Sequence, residues 1–303
     1  MAIHFTCPHC GASQTAEDRF AGLTGPCTSC GKQMSVPGGS GAKGMSTGTA
    51  VAAGAGAGSI LLVVGIVSLV VLLMCGGILV ALLLPAVQAA RHAARRQVSM
   101  NNEKNIMLAM HNYMSTYGEF PPAYLADKDG KPMHSWRVLI LPFIEQQNLY
   151  NQYDMSKPWD SPENMQVANT MPATYRSPLD TDNKPNSNIT SYLLFAGKGS
   201  VFDGKEKITF ASFPDGLSNT LALCEVDNSG VVWTQPTDLD AEKLDFIIHS
   251  MKDQRPGQIY SAASGGTITG MFDGSVRFIS DKVAPEMLRS AVDPKDGTPV
   301  MLD

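Results

Sequence analysis

A long stretch without charge constrains this chain more than any other feature of its sequence. No Asp, Glu, Lys or Arg occurs between Lys43 and Arg91, and within that gap residues 59–84 are almost entirely Leu, Val, Ile, Ala and Gly. A helix needs about 20 apolar residues to cross a bilayer. No second apolar segment exists that would bury this one in a protein core. Residues 59–84 therefore predict one transmembrane helix, with the lipid bilayer as a partner.

The cysteines define a second feature. Four of the six lie within the first thirty residues as two CxxC pairs, Cys7 with Cys10 and Cys27 with Cys30, and a glycine follows each pair. This spacing is typical of a four-thiolate zinc site, and two matched pairs disfavour the alternatives of a redox dithiol or a chance cluster. Residues 1–37 therefore predict a zinc ribbon. Its zinc is structural, because four cysteine ligands leave no open position for a reacting water.

The segment between these features, residues 38–58, consists of Gly, Ala, Ser and Thr with few other residues and predicts a flexible linker. Signals for membrane topology conflict. Four basic residues between positions 91 and 104 follow the apolar run, and the positive-inside rule would place residues 85–303 in the cytoplasm. A thiolate zinc ribbon instead favours the reducing cytoplasm for the N-terminus. With one membrane span, only one of these placements can hold.

Charge limits the class of partner. Residues 85–303 carry 20 Lys and Arg against 26 Asp and Glu, and the ribbon adds only Arg19 and Lys32 as basic residues. This balance argues against nucleic acid as a partner.

Beyond the apolar run, the sequence predicts a long amphipathic helix followed by β-structure. Apolar residues recur at helical spacing from Ala89 to Tyr117, and Gly118 with two nearby prolines ends the pattern. A second helix is predicted over residues 136–150. Short runs of β-forming residues then predict antiparallel strands at 191–196, 208–213, 220–226, 230–234, 267–272 and 275–280. The expected fold class for residues 85–303 is α+β, with a long helix packed on an antiparallel sheet.

Several motifs in this region resemble one bacterial protein family. They are PAVQAARHAARR at 85–96, NNEKN at 101–105, LAMHNYMSTYGEFPPAY at 108–124, SWRVLILPFIEQQNLYNQYDMSKPWDSPEN from 135, TYRSPLD from 174, DGLSNTLALCE from 215, WTQPTDL from 233 and FDGSVRFIS from 272. In this order they resemble the domain-of-unknown-function 1559 family, whose members are pilin-like and carry a prepilin-type N-terminus. The resemblance implies a pilin-like fold and a domain exported across the cytoplasmic membrane, with the N-terminus in the cytoplasm.

The chain departs from the family pattern at two places. The family has Gly-Phe at a cleavage point and a Glu just inside the apolar helix, whereas this chain has Gly58-Ser59 and no acidic residue there. The family's C-terminal signature is a His, nine residues, then Asp-Gly; Asp273 and Gly274 are present, but Ala263 stands at the His position. These departures favour an uncleaved, membrane-anchored variant with a zinc ribbon in place of the leader.

The sequence offers little for catalysis. His134 and His249 lie in no nucleophile motif, and an enzyme would need one of them to meet a carboxylate in a pocket. Residues 180–183, Asp-Thr-Asp-Asn, have oxygen ligands but lack the glycine and distal glutamate of a calcium loop, so a polar loop is the favoured interpretation. Cys75 and Cys224 are expected to be buried.

These features predict a non-enzymatic, single-pass membrane protein with a structural or interaction domain outside and a zinc ribbon inside. Its partners would be proteins or further copies of the chain, bound through the membrane helix or the pilin-like domain. The alternative is a signalling or regulatory protein whose ribbon contacts a cytoplasmic protein or nucleic acid.

Overall fold

The computed structural model describes residues 2–38, 57–180, 187–203, 207–250 and 257–298. The chain divides into two compact units, Met1–Met74 and Cys75–Asp303. The predicted linker lies largely outside the described residues, as do positions 181–183 of the Asp-Thr-Asp-Asn segment.

The N-terminal ribbon consists of two antiparallel hairpins. Strands β1 (Ala2–Thr6) and β2 (Ser13–Glu17) form the first, and β3 (Thr24–Pro26) and β4 (Gln33–Ser35) form the second. A 3-10 turn, Asp18–Phe20, follows β2. Among residues 2–38 of this unit, the buried apolar side chains are those of two cysteines and Met34. So small a core cannot supply much hydrophobic stabilisation, which makes the ribbon dependent on another source of folding energy.

One helix, α1, extends over Ala57–Tyr117. Every side chain from 62 to 84 is exposed although nearly all are apolar. This helix is long and apolar enough to span a membrane. Pro85 lies inside α1 and does not end it. A proline removes one helical hydrogen bond, and a continuous helix on both sides tolerates that loss.

The C-terminal end of α1 follows the prediction closely. Gly118 adopts a left-handed conformation with φ 78°, and its amide donates to the carbonyl of Met114 at 2.8 Å. Glycine adopts this conformation without the steric cost that a Cβ brings. Of the expected apolar stripe, Ile106 and Met110 are fully buried. The stripe ends in solvent, since Tyr117 is exposed.

The segment after α1 begins with a hairpin of β5 (Tyr124–Ala126) and β6 (Pro132–Ser135). The single helix predicted over residues 136–150 is wrong. The structure has α2 (Trp136–Leu139), a 3-10 turn (Leu141–Ile144) and α3 (Gln147–Gln152). Pro142 cannot donate to a helical ladder, and Glu145 takes a left-handed conformation with φ 62° that ends the turn. The apolar residues do recur at helical spacing, but the backbone forms three short helical segments instead of one helix.

Further elements complete the second unit. In chain order they are α4 (Pro162–Ala168), a 3-10 turn (Ala173–Tyr175), β7 (Tyr192–Ala196), a 3-10 turn (Phe210–Ser212), β8 (Leu221–Glu225), β9 (Leu239–Asp240), β10 (Ile248–Ser250), β11 (Ile259–Ser261), β12 (Gly266–Met271), β13 (Val276–Ser280) and α5 (Pro285–Val292). Strands β10 and β11 pair in parallel as a separate two-stranded sheet.

The main sheet has the strand order β13, β12, β8, β7, β9. The first four strands are antiparallel neighbours, and the short β9 adds a parallel edge beside β7. The fold class is therefore α+β, as the sequence predicts. Four of the six predicted strands correspond to β7, β8, β12 and β13.

The other two predicted strands are wrong. Residues 208–213 contain the 3-10 turn instead, because the side chains of Thr209 and Ser212 cap each other's backbone amides in a capping box. Residues 230–234 form only an isolated bridge, Ile189 with Val232. There the chain turns, and the indole of Trp233 donates to the carbonyl of Ala168 at 2.8 Å.

The main sheet is covered on both faces. The C-terminal half of α1 packs with the larger core cluster, which includes Met107, Leu223 and Phe272. Helix α5 packs with the second cluster on the other side, through Leu288 and neighbouring residues. A Cβ built at Gly270 of β12 would lie 3.0 Å from the Cγ of Met107, so the glycine permits α1 to approach the sheet closely.

Candidate metal centre

The four N-terminal cysteines sit in two turns of the same design. The amide of Cys7 donates to the carbonyl of Ala12 at 2.9 Å, and the amide of Gly11 donates to the carbonyl of Cys7 at 2.9 Å. The second turn repeats this pattern, with bonds from Cys27 to Lys32 at 2.9 Å and from Gly31 to Cys27 at 2.8 Å. Gly11 and Gly31 have φ values of 69° and 70°, a conformation that favours glycine. This explains why a glycine follows each pair.

These turns bring the four thiols together. The ligand atoms of Cys7, Cys10, Cys27 and Cys30 all lie within 4.8 Å of one another. Sulfur atoms from opposite turns lie 3.9 Å apart for Cys7 with Cys30 and 3.7 Å apart for Cys10 with Cys27. Every cysteine that the sequence analysis assigned to the metal site is therefore in the cluster.

Backbone amides favour the thiolate at one position. A hydrogen bond from the amide of Ser29, opposed by burial and supported by the amide of Cys30, lowers the pKa of Cys27 to about 6. The side chain of Gln14 also donates to the sulfur of Cys27 at 3.0 Å. At Cys10, the hydrogen bond from the Ala12 amide is outweighed by the neighbouring thiol of Cys30 and by burial, and the pKa rises to about 12. Four adjacent thiols cannot all ionise unless a cation compensates them.

The donor set fits a soft or borderline divalent metal such as zinc. Four thiolates would occupy the corners of a tetrahedron, which leaves no position for water or substrate. Cys7 and Cys27 are buried, whereas Cys10 and Cys30 are exposed. His9 is exposed and lies outside the cluster of ligand atoms. These residues can hold a metal that stabilises the ribbon, and they offer nothing for metal-assisted catalysis.

The ribbon also carries an apolar cleft. Its volume is about 530 Å³, and its lining includes Phe5, Phe20, Leu23 and Met34. Phe20 and Leu23 are 43% and 56% exposed. Large apolar side chains at a cleft are typical of surfaces that bind another protein.

Arg19, one of the two basic residues of the ribbon, has partners within the ribbon. The guanidinium of Arg19 stacks on Phe20 at 4.8 Å and pairs with Glu17 at 2.7 Å. Both side chains of this ion pair are largely exposed, so the pair contributes little to stability.

In the second unit, His134 is a packing residue. Its Nδ1 hydrogen-bonds with the hydroxyl of Tyr153 and its Nε2 with the carbonyl of Met155, both at 3.0 Å. Burial lowers the pKa of this imidazole. No carboxylate accepts a hydrogen bond from it in the described part of the chain.

His249 does meet a carboxylate. Its Nε2 lies 2.8 Å from the Oδ2 of Asp245, and its ring lies 5.6 Å from that of Tyr260. Within the described residues no hydroxyl or thiol nucleophile is hydrogen-bonded to His249. A His–Asp pair without a nucleophile lacks the constellation that covalent catalysis requires. A cleft lined by Gln258 and Tyr260 among others does not include His249.

The structure shows a buried ion pair that the sequence analysis missed. The Arg137 guanidinium, fully buried, lies 2.6 Å from Asp238 and also donates to the carbonyl of Tyr192. Asp238 accepts from the Trp136 indole and from the amide of Leu194 as well. No short motif marks such a pair, because the two residues are about a hundred positions apart and meet only through tertiary packing.

The remaining predicted positions have structural roles. Asp273 and Gly274 form the turn between β12 and β13, where Gly274 has φ 85° and the carboxylate of Asp273 accepts from the amide of Ser275 at 2.8 Å. Ala263 is buried in a small apolar cluster with Leu179 and Ile268.

Two further expectations concern isolated residues. Cys224 is buried as expected, but Cys75 is exposed on the apolar half of α1, and the expectation of burial there is wrong. Its neighbours are the side chains that a bilayer would cover. Of the Asp-Thr-Asp-Asn segment only Asp180 is described, and its carboxylate accepts from the hydroxyl of Ser191 and the amide of Asn228.

Comparison with known proteins identifies the region that begins inside α1. Residues 88–199 match the family described as protein of unknown function (DUF1559). This stretch belongs to the DUF1559 family. The resemblance that the sequence motifs indicated is confirmed over these residues. No curated protein and no solved structure matches the chain significantly.

The DUF1559 match has a clear position on the structure. It begins in the exposed part of α1, includes the half of that helix that packs on the sheet, and ends just after β7. The metal-centre cysteines lie outside it. The ribbon is therefore an addition to the DUF1559 region, and its role must be argued from its own residues.

Proposed function

We propose that this protein is a single-pass membrane protein that displays its DUF1559 region outside the cytoplasmic membrane for a structural or interaction role. A zinc ribbon lies on the cytoplasmic side, and the protein is not an enzyme. The observation that carries this proposal is the continuous helix α1. One part of it presents exposed side chains that are nearly all apolar, and the next part packs on a sheet.

The helix and sheet also support a pilin-like arrangement. In pilin-like proteins a long N-terminal helix anchors the subunit and its second half packs on an antiparallel sheet. Here α1 has the same division, and residues 62–84 supply the apolar half. The absence of a Glu in this half favours a permanent anchor over release into a filament.

The contacts of the basic residues after the apolar run weaken the positive-inside argument against this topology. The Arg96 guanidinium stacks on the ring of Phe278 at 4.2 Å and donates to the carbonyl of Ser264. Arg96 therefore packs against the sheet unit of its own domain. Arg91 and Arg95 are exposed on α1 and are free to lie at the lipid headgroups.

A membrane-impermeant, amine-reactive crosslinker applied to spheroplasts tests the proposal. Exposed lysines of the DUF1559 region such as Lys128 and Lys198 should react from outside and form crosslinks to a protein partner or to a second copy. Lys32 of the ribbon should react only after lysis. Modified lysines without any crosslinks would contradict the interaction role, and unmodified lysines would contradict export.

A second candidate function, a signalling or regulatory role, is favoured by the apolar cleft of the ribbon. In this alternative a cytoplasmic protein binds the cleft through Phe20 and Leu23. Replacing both by Ser should abolish crosslinks formed by Lys32 with a permeant reagent, while zinc content stays unchanged. His9→Ala, on an exposed knuckle position, is the matched control. Equal crosslinking by both variants would remove this candidate.

A further inference from the structure

An unpaired acidic residue lies in the core between α1 and the main sheet. Glu103 is fully buried, and neither of its carboxyl oxygens has a hydrogen-bond partner. It stands at helical spacing from Ser99, Ile106 and Met110, on the face of α1 that packs against the sheet. A carboxylate in such a place costs several kcal/mol unless something compensates it.

A second buried carboxylate accompanies it. Glu225, at the end of β8, is also fully buried, and its Oε1 accepts from the hydroxyl of Ser177 at 2.7 Å. Its Oε2 accepts from Ser99, whose oxygen is 2.8 Å from the hydroxyl of Tyr192. Burial, then the charge of Glu225, raises the pKa of Glu103, while a weaker interaction with the backbone amide of Glu225 opposes the shift.

The surrounding charges do not balance this pair. Asp180 repels Glu225 electrostatically, and Arg96 attracts it. The guanidinium of Arg96 stacks on Phe278 and donates a hydrogen bond to the carbonyl of Ser264. No basic side chain contacts Glu103 among the described residues.

A proton alone is an incomplete compensation. Protonation would remove the charge of Glu103, but apart from the weak interaction with the Glu225 amide its oxygens would still lack hydrogen bonds among the described residues, and an unmade buried hydrogen bond is itself unfavourable. A cation supplies both the opposite charge and contacts for the oxygens. Calcium takes six to eight oxygen ligands, and two bidentate carboxylates with three hydroxyls would together supply about seven. Two carboxylates would also match its charge.

We propose that Glu103 and Glu225, with the hydroxyls of Ser99, Ser177 and Tyr192, form a buried site for one divalent cation of the calcium class. The site links α1 to β8 and β7 and is separate from the four-cysteine cluster. Magnesium suits it less, because that ion retains several waters and the site is closed to solvent. The cation would hold the displayed domain against its anchoring helix.

The test uses the full chain in detergent, prepared in buffers stripped of divalent ions by resin so that the bound zinc is retained. Calcium, added at about 100 times its dissociation constant, should raise the Tm of the second unit by about 5 °C or more. Elemental analysis should find one calcium per chain in addition to zinc. Magnesium at the same concentration should give a smaller shift.

Variants separate the site from general effects. Glu103→Gln and Glu225→Gln should each lose both the calcium and the shift. Glu103→Leu should fold without calcium, since it restores an apolar helix face, and its Tm should not respond to the ion. Glu163→Gln, at an exposed position, should behave as the wild type. A wild-type protein that retains no calcium and shows no shift would overturn the proposal.

Discussion

The ribbon and the second unit, Cys75–Asp303, called the helix–sheet unit below, reach a defined structure in opposite ways. In the described residues of the ribbon, the buried apolar side chains are those of two cysteines and one methionine, and four thiols lie within 4.8 Å of one another. The helix–sheet unit buries two large clusters on the two faces of one sheet. The first depends on a ligand, whereas the second depends on side-chain packing. Removal of metal from the four-cysteine cluster should therefore destabilise only the ribbon, and substitutions in the buried clusters should destabilise only the second unit.

The largest expected effect is in the ribbon. Cys27→Ser removes one thiolate, and the structural zinc in such modules contributes on the order of 10 kcal/mol to folding. We expect residues 1–37 to become protease-sensitive and zinc to be lost, while the Tm of the second unit is unchanged. Zinc analysis with limited proteolysis measures this, and His9→Ala is the control. A ribbon that stays protease-resistant without metal would contradict the comparison.

The next effect belongs to the second unit. Arg137→Met leaves Asp238 buried without its charged partner, which costs about 3–5 kcal/mol. Chemical unfolding should show this loss with no change in zinc content. The exposed pair of Lys157 with Glu163, 2.6 Å apart, provides the control, since Lys157→Met should cost less than about 1 kcal/mol. Equal losses at the two sites would show that the buried pair is not special.

A smaller effect is expected at the turn between β12 and β13. Gly274 has φ 85°, and a Cβ there would make only an ordinary 3.8 Å contact with His111. The cost of Gly274→Ala is therefore backbone strain of about 1–2 kcal/mol. Gly274→Asn should cost less, because Asn tolerates the left-handed region. If the two variants unfold at the same denaturant concentration, strain is not the cause.

The smallest effect is a pH dependence of the stability of the second unit. Burial lowers the pKa of His134, so the unfolded chain binds a proton more readily than the folded one. The stability from neutral His134 is complete above the ordinary histidine pKa of about 6.5 and is lost as the pH falls towards the lowered value. Unfolding curves at pH 7 and pH 5 should differ less for His134→Gln than for the wild type. An unchanged difference would assign the pH effect to other groups.

Local sequence patterns predicted much of both units. Paired cysteines with a following glycine encode each turn within a few residues, so the four-thiol cluster could be found without tertiary information. The end of α1 at Gly118 is equally local. Strands β7, β8, β12 and β13 could be located because each is a short run of β-forming residues with turn-forming residues nearby.

The errors arose where the backbone depends on tertiary packing or on side-chain caps. Residues 136–150 have a helical apolar pattern, yet Pro142 and Glu145 interrupt the helix. At 208–213, Thr209 and Ser212 satisfy the backbone locally and replace a strand. A buried carboxyl group such as that of Glu103 gives one signal in the sequence, a polar residue at core spacing on an apolar helix face, but its proximity to Glu225 of β8 depends on tertiary packing.

Protease accessibility in spheroplasts tests the central proposal most directly, which is that the apolar part of α1 spans the cytoplasmic membrane and that the ribbon faces the cytoplasm. An N-terminal epitope tag marks the ribbon, a C-terminal tag marks the helix–sheet unit, and a cytoplasmic protein serves as the control. We predict that external protease removes the C-terminal tag while the ribbon and the control stay intact. Protection of the C-terminal tag until lysis would contradict the account and place the DUF1559 region in the cytoplasm.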